Sequence, residues 1–187
     1  MIEKPVSRAE GKLAGFLREM RVDMKGATVL DIGSSTGGWT ELVLSKGAKK
    51  VVAVEKGTRQ MKAPLRFDKR IELLEKTDIF EFTPEVKPDV ILADVSFVSL
   101  TKVLAYARDR LARRDTDFFV MLKPQFEARA NQLVDGVVKN EKMRREIVKS
   151  FEFWLKGHGF VVVGKRDSEV RGRHGNLERL YWLRLVR

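Results

Sequence analysis

Two ionisable side chains follow apolar, strand-like runs of this sequence. Asp94 comes directly after the run 90–93, and Lys123 directly after the run 118–122. The carboxyl ends of parallel strands meet at one edge of a sheet, so we expect both side chains to face one crevice. Lysine acts as a general base when it is neutral, and burial, a second ammonium group or a cationic ligand favours that neutral form. The pattern predicts a site that removes a proton.

A glycine-rich turn after the first predicted strand indicates a nucleoside-binding site. Its spacing is not G-x-G-x-x-G, and no lysine follows the last glycine as in a P-loop. Glu55 ends the second strand, where a carboxylate would accept hydrogen bonds from ribose hydroxyls, and Asp78 follows the third, where it could reach an adenine amino group. Any one of these features alone would suit a tight turn with helix-capping carboxylates. Together, at three successive strand ends, they favour a nucleoside.

Two kinds of base methylation lack their usual residues in this sequence. Methylation of a pyrimidine at carbon 5 usually needs a cysteine, and the chain has none. Methylation of exocyclic amines typically uses Asn or Asp followed by Pro-Pro and an aromatic residue, whereas Asp94 is followed by Val-Ser-Phe. A ribose hydroxyl is a very weak acid and needs a nearby base. Lys12 and Glu178 could complete such a site, although each alone suits an ordinary surface residue.

The apolar periodicity predicts an α/β fold with alternating strands and helices and a mostly parallel sheet. A helix over Ser7–Met20, with a capping-box pattern at Ser7 and Glu10, forms an N-terminal extension (1–25) that carries Lys12. We expect one compact domain over residues 1–187, because no internal boundary is visible. The predicted strands are 27–32, 51–54, 71–74, 89–94, 117–122, 160–164 and 180–186.

Helical patterns fill most of the connections between these strands. One helix is predicted over 39–45, and a weaker pattern follows the second strand. Another helix follows the fourth strand, where the residues that share an apolar face are Phe97, Leu100, Leu104 and Leu111. Residues 124–138 show no clear periodicity and are predicted to be a functional loop. A further helix begins near Asn140, buries Met143, Ile147, Phe151 and Trp154, and ends at Gly157. The last two strands are expected to be antiparallel to each other.

The composition favours a polyanionic partner. Lysine and arginine number 37 against 26 acidic residues, for a formal net charge of +11. Clusters at 108–114, 139–145 and 165–173 predict a positive face that could bind nucleic acid. The lack of cysteine excludes disulfides, and His158 and His174 lack metal-ligand spacing, so no metal site is predicted. No signal peptide or membrane span is recognisable, and we expect a cytoplasmic protein that does not act on membranes.

Several motifs in the same order resemble the TlyA family of ribosomal RNA 2′-O-methyltransferases and, more broadly, the FtsJ/RrmJ-like enzymes. The resemblance covers nearly the whole chain. The family usually has a small RNA-binding domain before the catalytic one, which this chain is expected to lack, and Ala9-Glu10-Gly11 replaces the usual glycine-rich spacer. The motifs are Ser7-Arg8 with Lys12-Leu13, Asp31-Ile32-Gly33-Ser34-Ser35-Thr36-Gly37-Gly38, Asp94-Val95-Ser96-Phe97, Lys123-Pro124-Gln125-Phe126-Glu127 and Gly175-Asn176-Leu177-Glu178.

The resemblance implies a Rossmann-like S-adenosylmethionine-dependent fold with seven strands, helices on both faces and an antiparallel C-terminal strand. It implies a catalytic set of Lys12, Asp94, Lys123 and Glu178, with Lys123 as the base and the others tuning it and holding the ribose. The partner would be ribosomal RNA or a ribosomal subunit. The residues implied to hold the cofactor S-adenosyl-L-methionine are Asp31, Gly33, Ser34, Ser35, Thr36, Gly37, Gly38, Trp39, Glu55, Asp78 and Asp94.

Two alternatives stay open at this point. The same cofactor could serve methylation of a base or of a small molecule. The chain could instead be a non-catalytic RNA-binding or haemolysin-like protein, since relatives of TlyA have been labelled haemolysins. A long, amphipathic, lysine-rich helix face would support membrane activity, and the sequence shows none.

Overall fold

A seven-stranded sheet forms the centre of the computed structural model, which describes residues 8–172 and 174–186. Its strand order is β3-β2-β1-β4-β5-β9-β8, in which β9 is antiparallel to β5 and to β8 and the other adjacent pairs are parallel. This confirms the predicted mostly parallel sheet with an antiparallel C-terminal strand. The strands are β1 (Thr28–Ile32), β2 (Lys50–Glu55), β3 (Ile71–Glu75), β4 (Val90–Ala93), β5 (Asp117–Leu122), β8 (Phe160–Asp167) and β9 (Arg179–Leu185).

Helices cover both faces of the sheet, as the sequence predicts. One apolar core lies under α1, α2 and α3, and the other lies under α4 and α6. Helix α1 packs through Leu13, Phe16 and Leu17, which are fully buried because their spacing puts them on one face. Ser7, the predicted start of this helix, lies outside the described residues. The helices are α1 (Arg8–Glu19), α2 (Gly38–Ser45), α3 (Ala63–Arg66), α4 (Leu100–Tyr106), α5 (Pro124–Glu127) and α6 (Glu141–Gly157).

The last two strands are antiparallel, as predicted, but β8 continues to Asp167 rather than ending at Gly164. A bulge between Val162 and Gly164 keeps the strand paired. Gly164 leaves room for Met20, just after α1, because a Cβ atom would lie 2.6 Å from its sulfur unless that side chain moved. The close approach brings α1 against the edge of the sheet.

The segment 124–138 is ordered, so its prediction as a loop without secondary structure was wrong. It contains α5, a 3₁₀ turn (Ala130–Gln132) and a small hairpin of β6 (Leu133–Val134) and β7 (Val137–Val138). Asp135 and Gly136 connect the two strands with φ angles of 49° and 75°, the left-handed conformation that an Asp-Gly hairpin turn requires. The strands have two residues each, which is too short for alternation to reveal them.

Two predicted helix faces also need correction. Phe97 precedes α4, has a φ of 63° and is 93% exposed, so it does not share the buried face of that helix. Glu127 accepts hydrogen bonds from the backbone N–H of Leu100 and the hydroxyl of Ser99, which fixes the helix start after Phe97. In α6, Arg144 is buried beside Ile147 and Phe151, whereas Met143 and Trp154 are only half-buried.

Candidate active site

The carboxyl ends of β1, β2 and β4 converge on one cavity of about 630 Å³. The backbone N–H of Gly33 donates to Val54 at 2.9 Å, and that of Asp94 donates to Ile32 at 3.3 Å, so the turns after these strands are held together. Open α/β sheets bind their ligands at such an edge. The predicted residues that line the cavity are Gly33, Ser35, Glu55, Asp78 and Asp94.

The glycine-rich turn needs its glycines for two different reasons. Gly33 has a φ of 78°, and a Cβ atom there would lie 3.4 Å from the carbonyl oxygen of Asp94. Gly37 has a φ of 89°, and its Cβ would lie 2.5 Å from Leu65 on α3. The first glycine allows the left-handed backbone that the turn requires, and the second also leaves room for Leu65 of α3 to pack against the turn.

Glu55 and Asp78 bind the backbone around the cavity. Glu55 accepts hydrogen bonds from the N–H groups of Ser35 at 2.9 Å and Gly57 at 2.7 Å. Asp78 accepts one from the N–H of Phe80 at 3.1 Å and pairs with Lys56 at 2.9 Å. The hydrogen bond from the Lys56 ammonium, followed by that from Phe80, lowers the pKa of Asp78. Both carboxylates therefore have the capping role that the sequence also allowed, and both line the cavity.

The turn also contains buried polar atoms that lack partners. Asp31 accepts a hydrogen bond from the Thr40 hydroxyl at 2.6 Å through one carboxylate oxygen. Its other oxygen and the hydroxyl of Ser34 are buried and have no hydrogen-bond partner within the described part of the chain. Such atoms are costly to bury unless a ligand or a water satisfies them. These two oxygens could accept hydrogen bonds from a polar, cationic ligand. The turn therefore fits S-adenosylmethionine.

The other predicted cofactor residues lie outside this cavity. Thr36 is exposed, and Gly37 and Gly38 are buried at the start of α2. Trp39 is 3% exposed and packs into the core beneath α1 and α2. A tryptophan next to a glycine-rich turn resembles a ligand contact in sequence, but here its size fills the space between helix and sheet.

The buried carboxyl of Asp31 should make stability depend on pH. Desolvation by burial, reinforced by the negative charges of Asp94 and Glu55, raises its pKa from 3.8 to about 7 against the opposing Thr40 hydrogen bond. Between these pH values the folded state binds the extra proton, so the free energy of unfolding falls as pH rises, by up to about 4 kcal/mol in total. Asp31→Asn should remove that decrease in denaturant titrations at pH 4 to 7. The same pH dependence in both proteins would contradict the raised pKa.

Two lysine–carboxylate pairs lie beside the cavity. Lys123 Nζ is 2.8 Å from an oxygen of Asp94 and donates to the Ser96 hydroxyl at 2.9 Å. Lys12 Nζ, on α1, is 2.5 Å from an oxygen of Glu178 just before β9, and both side chains are only 7% exposed. All four predicted catalytic side chains therefore belong to ion pairs.

The strand register brings these pairs next to each other. In the antiparallel pairing of β5 with β9, Leu122 lies opposite Arg179. Lys123 and Glu178 are the next residues beyond this last pair, directly after the end of β5 and directly before the start of β9. Residues from α1, β4, β5 and β9 thus meet at one edge of the sheet, and the arrangement can hold a hydroxyl group and remove its proton.

Three residues that sequence reasoning did not assign to the site support it. Glu127 links the segment after Lys123 to the start of α4, because it accepts hydrogen bonds from Ser99 and Leu100. Arg144 donates to the carbonyl of Leu177 at 3.0 Å, directly before Glu178. Phe97 lies exposed at the cavity, 5.3 Å from the ring of Phe126. An arginine that interrupts the apolar face of a predicted helix is the sequence signal that could have identified Arg144.

Comparison with known proteins agrees with this geometry. Residues 5–185 match the family model described as FtsJ-like methyltransferase. A 16S/23S rRNA (cytidine-2′-O)-methyltransferase TlyA of Mycobacterium tuberculosis is 39% identical over 96% of this chain and 68% of its own length. The chain belongs to the TlyA group of FtsJ-like methyltransferases. The resemblance inferred from the motifs is confirmed, and so is the expectation of a methyltransferase.

Other relatives have the same extent of similarity. The 23S rRNA (cytidine-2′-O)-methyltransferase TlyA of Campylobacter jejuni is 37% identical over 95% of this chain and 70% of its own. A solved structure from Streptococcus thermophilus, named only provisionally as a hemolysin, has a TM-score of 0.92 and 32% identity over 100% of this chain and 70% of its own. The fold of this TlyA-group chain is thus shared with an experimental structure.

The alternative of membrane activity gains no support from the helices. Within residues 8–172 and 174–186, none is long and apolar enough to cross a membrane. In the same part of the chain, no group of three or more His, Asp or Glu side chains is arranged to hold a metal ion.

Proposed function

We propose that this protein transfers a methyl group from S-adenosylmethionine to a ribose 2′-hydroxyl of ribosomal RNA. The observation that carries the proposal is the pair of adjacent lysine–carboxylate contacts, Lys123 with Asp94 and Lys12 with Glu178, beside a cavity at the strand ends. The names of the relatives from M. tuberculosis and C. jejuni specify the same reaction on rRNA cytidines, and they support a ribose substrate here.

The residues of the glycine-rich edge would hold the cofactor. Gly33 lines the cavity, and the unpartnered oxygens of Asp31 and Ser34 in the same turn would bind its polar groups. Glu55 would accept from the cofactor ribose, and Asp78 would lie near the adenine. S-adenosylmethionine, when bound, supplies a methyl group activated by its sulfonium charge. Ser35, which also lines the cavity, would contact the cofactor with these residues, whereas Thr36, Gly37, Gly38 and Trp39 would shape the turn and the start of α2.

Lys123 would act as the general base. In its neutral form it would take the proton of the ribose hydroxyl as the methyl group moves from sulfur to that oxygen, so that the oxygen–methyl bond forms while the sulfur–methyl bond breaks. Asp94 orients this amine through the 2.8 Å contact, and Ser96 provides a second fixed partner. Lys12 and Glu178 would hold the substrate ribose, since they form the adjacent pair. Fixed polar groups lose little freedom during the reaction, and this preorganisation is a large source of rate enhancement.

RNA is the partner that the charge and the exposed aromatic residues favour. The net charge of +11 would attract phosphates, and Phe97 with Phe126 would offer a stacking surface to an unpaired base. An rRNA substrate would locate the protein in the cytoplasm. Both apolar cores use the same sheet, which supports residues 1–187 as a single methyltransferase domain.

The test is methylation of total ribosomal RNA with isotopically labelled S-adenosylmethionine, followed by mass analysis of the nucleosides. The expected product is one nucleoside that carries the label on its ribose. Label on a base would favour the alternative of a base methyltransferase. No label on RNA, combined with no binding of S-adenosylmethionine in calorimetry, would revive the non-enzymatic alternative.

A further inference from the structure

A second groove, of about 240 Å³, adjoins the two lysine–carboxylate pairs. Its lining includes Pro124, which directly follows Lys123, and Leu177, which directly precedes Glu178. The groove therefore includes the chain neighbours of two proposed catalytic residues and shares no lining residue with the cofactor cavity. A chain molecule whose ribose lies between Lys123 and Glu178 would extend into it.

The walls of the groove are held together by Asn176. This side chain is 3% exposed, donates to the carbonyl of Gly136 at 3.0 Å and accepts from the N–H of Val138 at 3.0 Å. Its own carbonyl accepts from the N–H of Gly172 at 2.8 Å. The β6–β7 hairpin and the loop before β9 are therefore linked by a buried amide, and the groove is formed before any ligand binds.

Two exposed cations in the groove have no carboxylate partner. Lys139 and Arg171 line it, and neither forms an ion pair with another described residue. Arg171 donates one hydrogen bond, to the carbonyl of Gly175 at 2.8 Å. The acidic lining residue, Glu141, is paired with Arg144 at 3.2 Å, and Arg144 also contacts Asp167. The groove consequently has a net positive charge.

These free cations contrast with many of the other arginines on the surface. Arg108 pairs with Asp109, Arg113 with Asp89 and Arg166 with Glu19. These pairs neutralise part of the basic clusters at 108–114 and 165–173. An unpaired lysine and arginine in one preformed groove therefore indicate a site for an anion rather than a general surface charge.

We propose that this groove binds the phosphodiesters that flank the target ribose, so that Lys139 and Arg171 set the register of the RNA strand at the active site. The inference rests on the proposed function, because it requires an RNA substrate. Phosphate contacts from lysine and arginine position a nucleic acid without reading its sequence. Their location next to Lys123 and Glu178 would hold one ribose at the base.

The test is the double substitution Lys139→Gln and Arg171→Gln, with a fluorescein-labelled oligocytidylate of about twelve nucleotides as the probe in fluorescence anisotropy. If each cation neutralises one phosphate, the slope of log affinity against log salt should decrease by about 1.4 in magnitude. We expect about tenfold weaker binding near 0.1 M salt. Calorimetric affinity for S-adenosylmethionine should not change, which also checks that the variant is folded.

A matched control removes two charges at the opposite edge of the sheet. Lys25 and Lys49 are exposed before β1 and β2, and their replacement by glutamine should leave the salt slope within error of the wild type. The conservative change Arg171→Lys in the Lys139→Arg background should retain binding, because it keeps both charges while it loses the original hydrogen bond.

Three outcomes would overturn the assignment of the groove. If the wild type is active and the glutamine variant has the same RNA affinity and salt slope, the groove does not bind the phosphodiesters, while the proposed function still stands. An equal loss in the control variant would show that net charge is sufficient. Failure of the conservative variant to bind RNA would point to a structural role for Arg171. A wild type that neither binds nor methylates RNA would contradict the proposed function itself.

Discussion

Lys123→Met should lower the rate of methyl transfer to RNA by about two to four orders of magnitude, the range that a positioned general base contributes. The substitution keeps most of the side-chain volume and removes the amine that contacts Asp94 and Ser96. Because the side chain does not line the cofactor cavity, the calorimetric affinity for S-adenosylmethionine should stay close to that of the wild type.

The control for this variant is Lys102→Met, on the exposed surface of α4. It removes the same charge and should retain wild-type turnover. Single-turnover measurements at saturating RNA and cofactor separate the chemical step from binding. If Lys123→Met kept more than about a tenth of the wild-type rate, Lys123 would not be the general base, because a positioned base contributes a rate factor of at least about one hundred.

Glu178→Leu should destabilise the protein by about 3–5 kcal/mol, because it leaves the ammonium of Lys12 buried without its partner. Lys12→Met should destabilise the protein by a similar amount, because it leaves the carboxylate of Glu178 buried without its partner. The double variant should recover most of the stability, since well-packed apolar side chains often replace a buried ion pair without loss. It should nevertheless stay inactive on RNA if the pair holds the ribose. Urea denaturation and the methylation assay measure these two properties separately.

The matched control is the exposed pair of Lys50 and Glu72, at 2.6 Å and about half exposed (48% and 47%). The corresponding substitutions Lys50→Met and Glu72→Leu should each change stability by less than about 1 kcal/mol, because solvent screens such pairs. Equal losses of stability at the two pairs would show that burial does not determine how much a broken ion pair destabilises the protein. Full activity in the double variant of Lys12 and Glu178 would remove the second pair from the catalytic site.

The sheet and the strand-end residues could be predicted from the sequence because each depends on local patterns. Apolar runs mark the parallel strands, and residues directly after them must meet at one edge. Asp94, Lys123 and Glu55 follow from this rule alone. Lys12 and Glu178 do not, since a helix lysine and a carboxylate before an edge strand look like surface residues. Their contact depends on how α1 packs against β8 and β9, and it was the family resemblance that placed both residues in the catalytic set.

The errors arose where tertiary contacts override local signals. Phe97 suits the apolar face of a helix, yet Glu127 fixes the start of α4 three residues later. Arg144 occupies a position that suits an apolar side chain, and it is buried because Asp167, Glu141 and the Leu177 carbonyl satisfy its guanidinium. The Asp135-Gly136 turn was a local signal, but strands of two residues gave no periodicity to support it.

The most direct test of ribose methylation uses a synthetic RNA that contains the nucleotide identified by mass analysis. Two versions are compared, one all-ribose and one with a single 2′-deoxy substitution at that nucleotide, under identical labelling conditions. We expect label in the first RNA and background counts in the second, with similar binding of both. Equal incorporation into the two RNAs would contradict it, because the proposed acceptor oxygen is absent from the second.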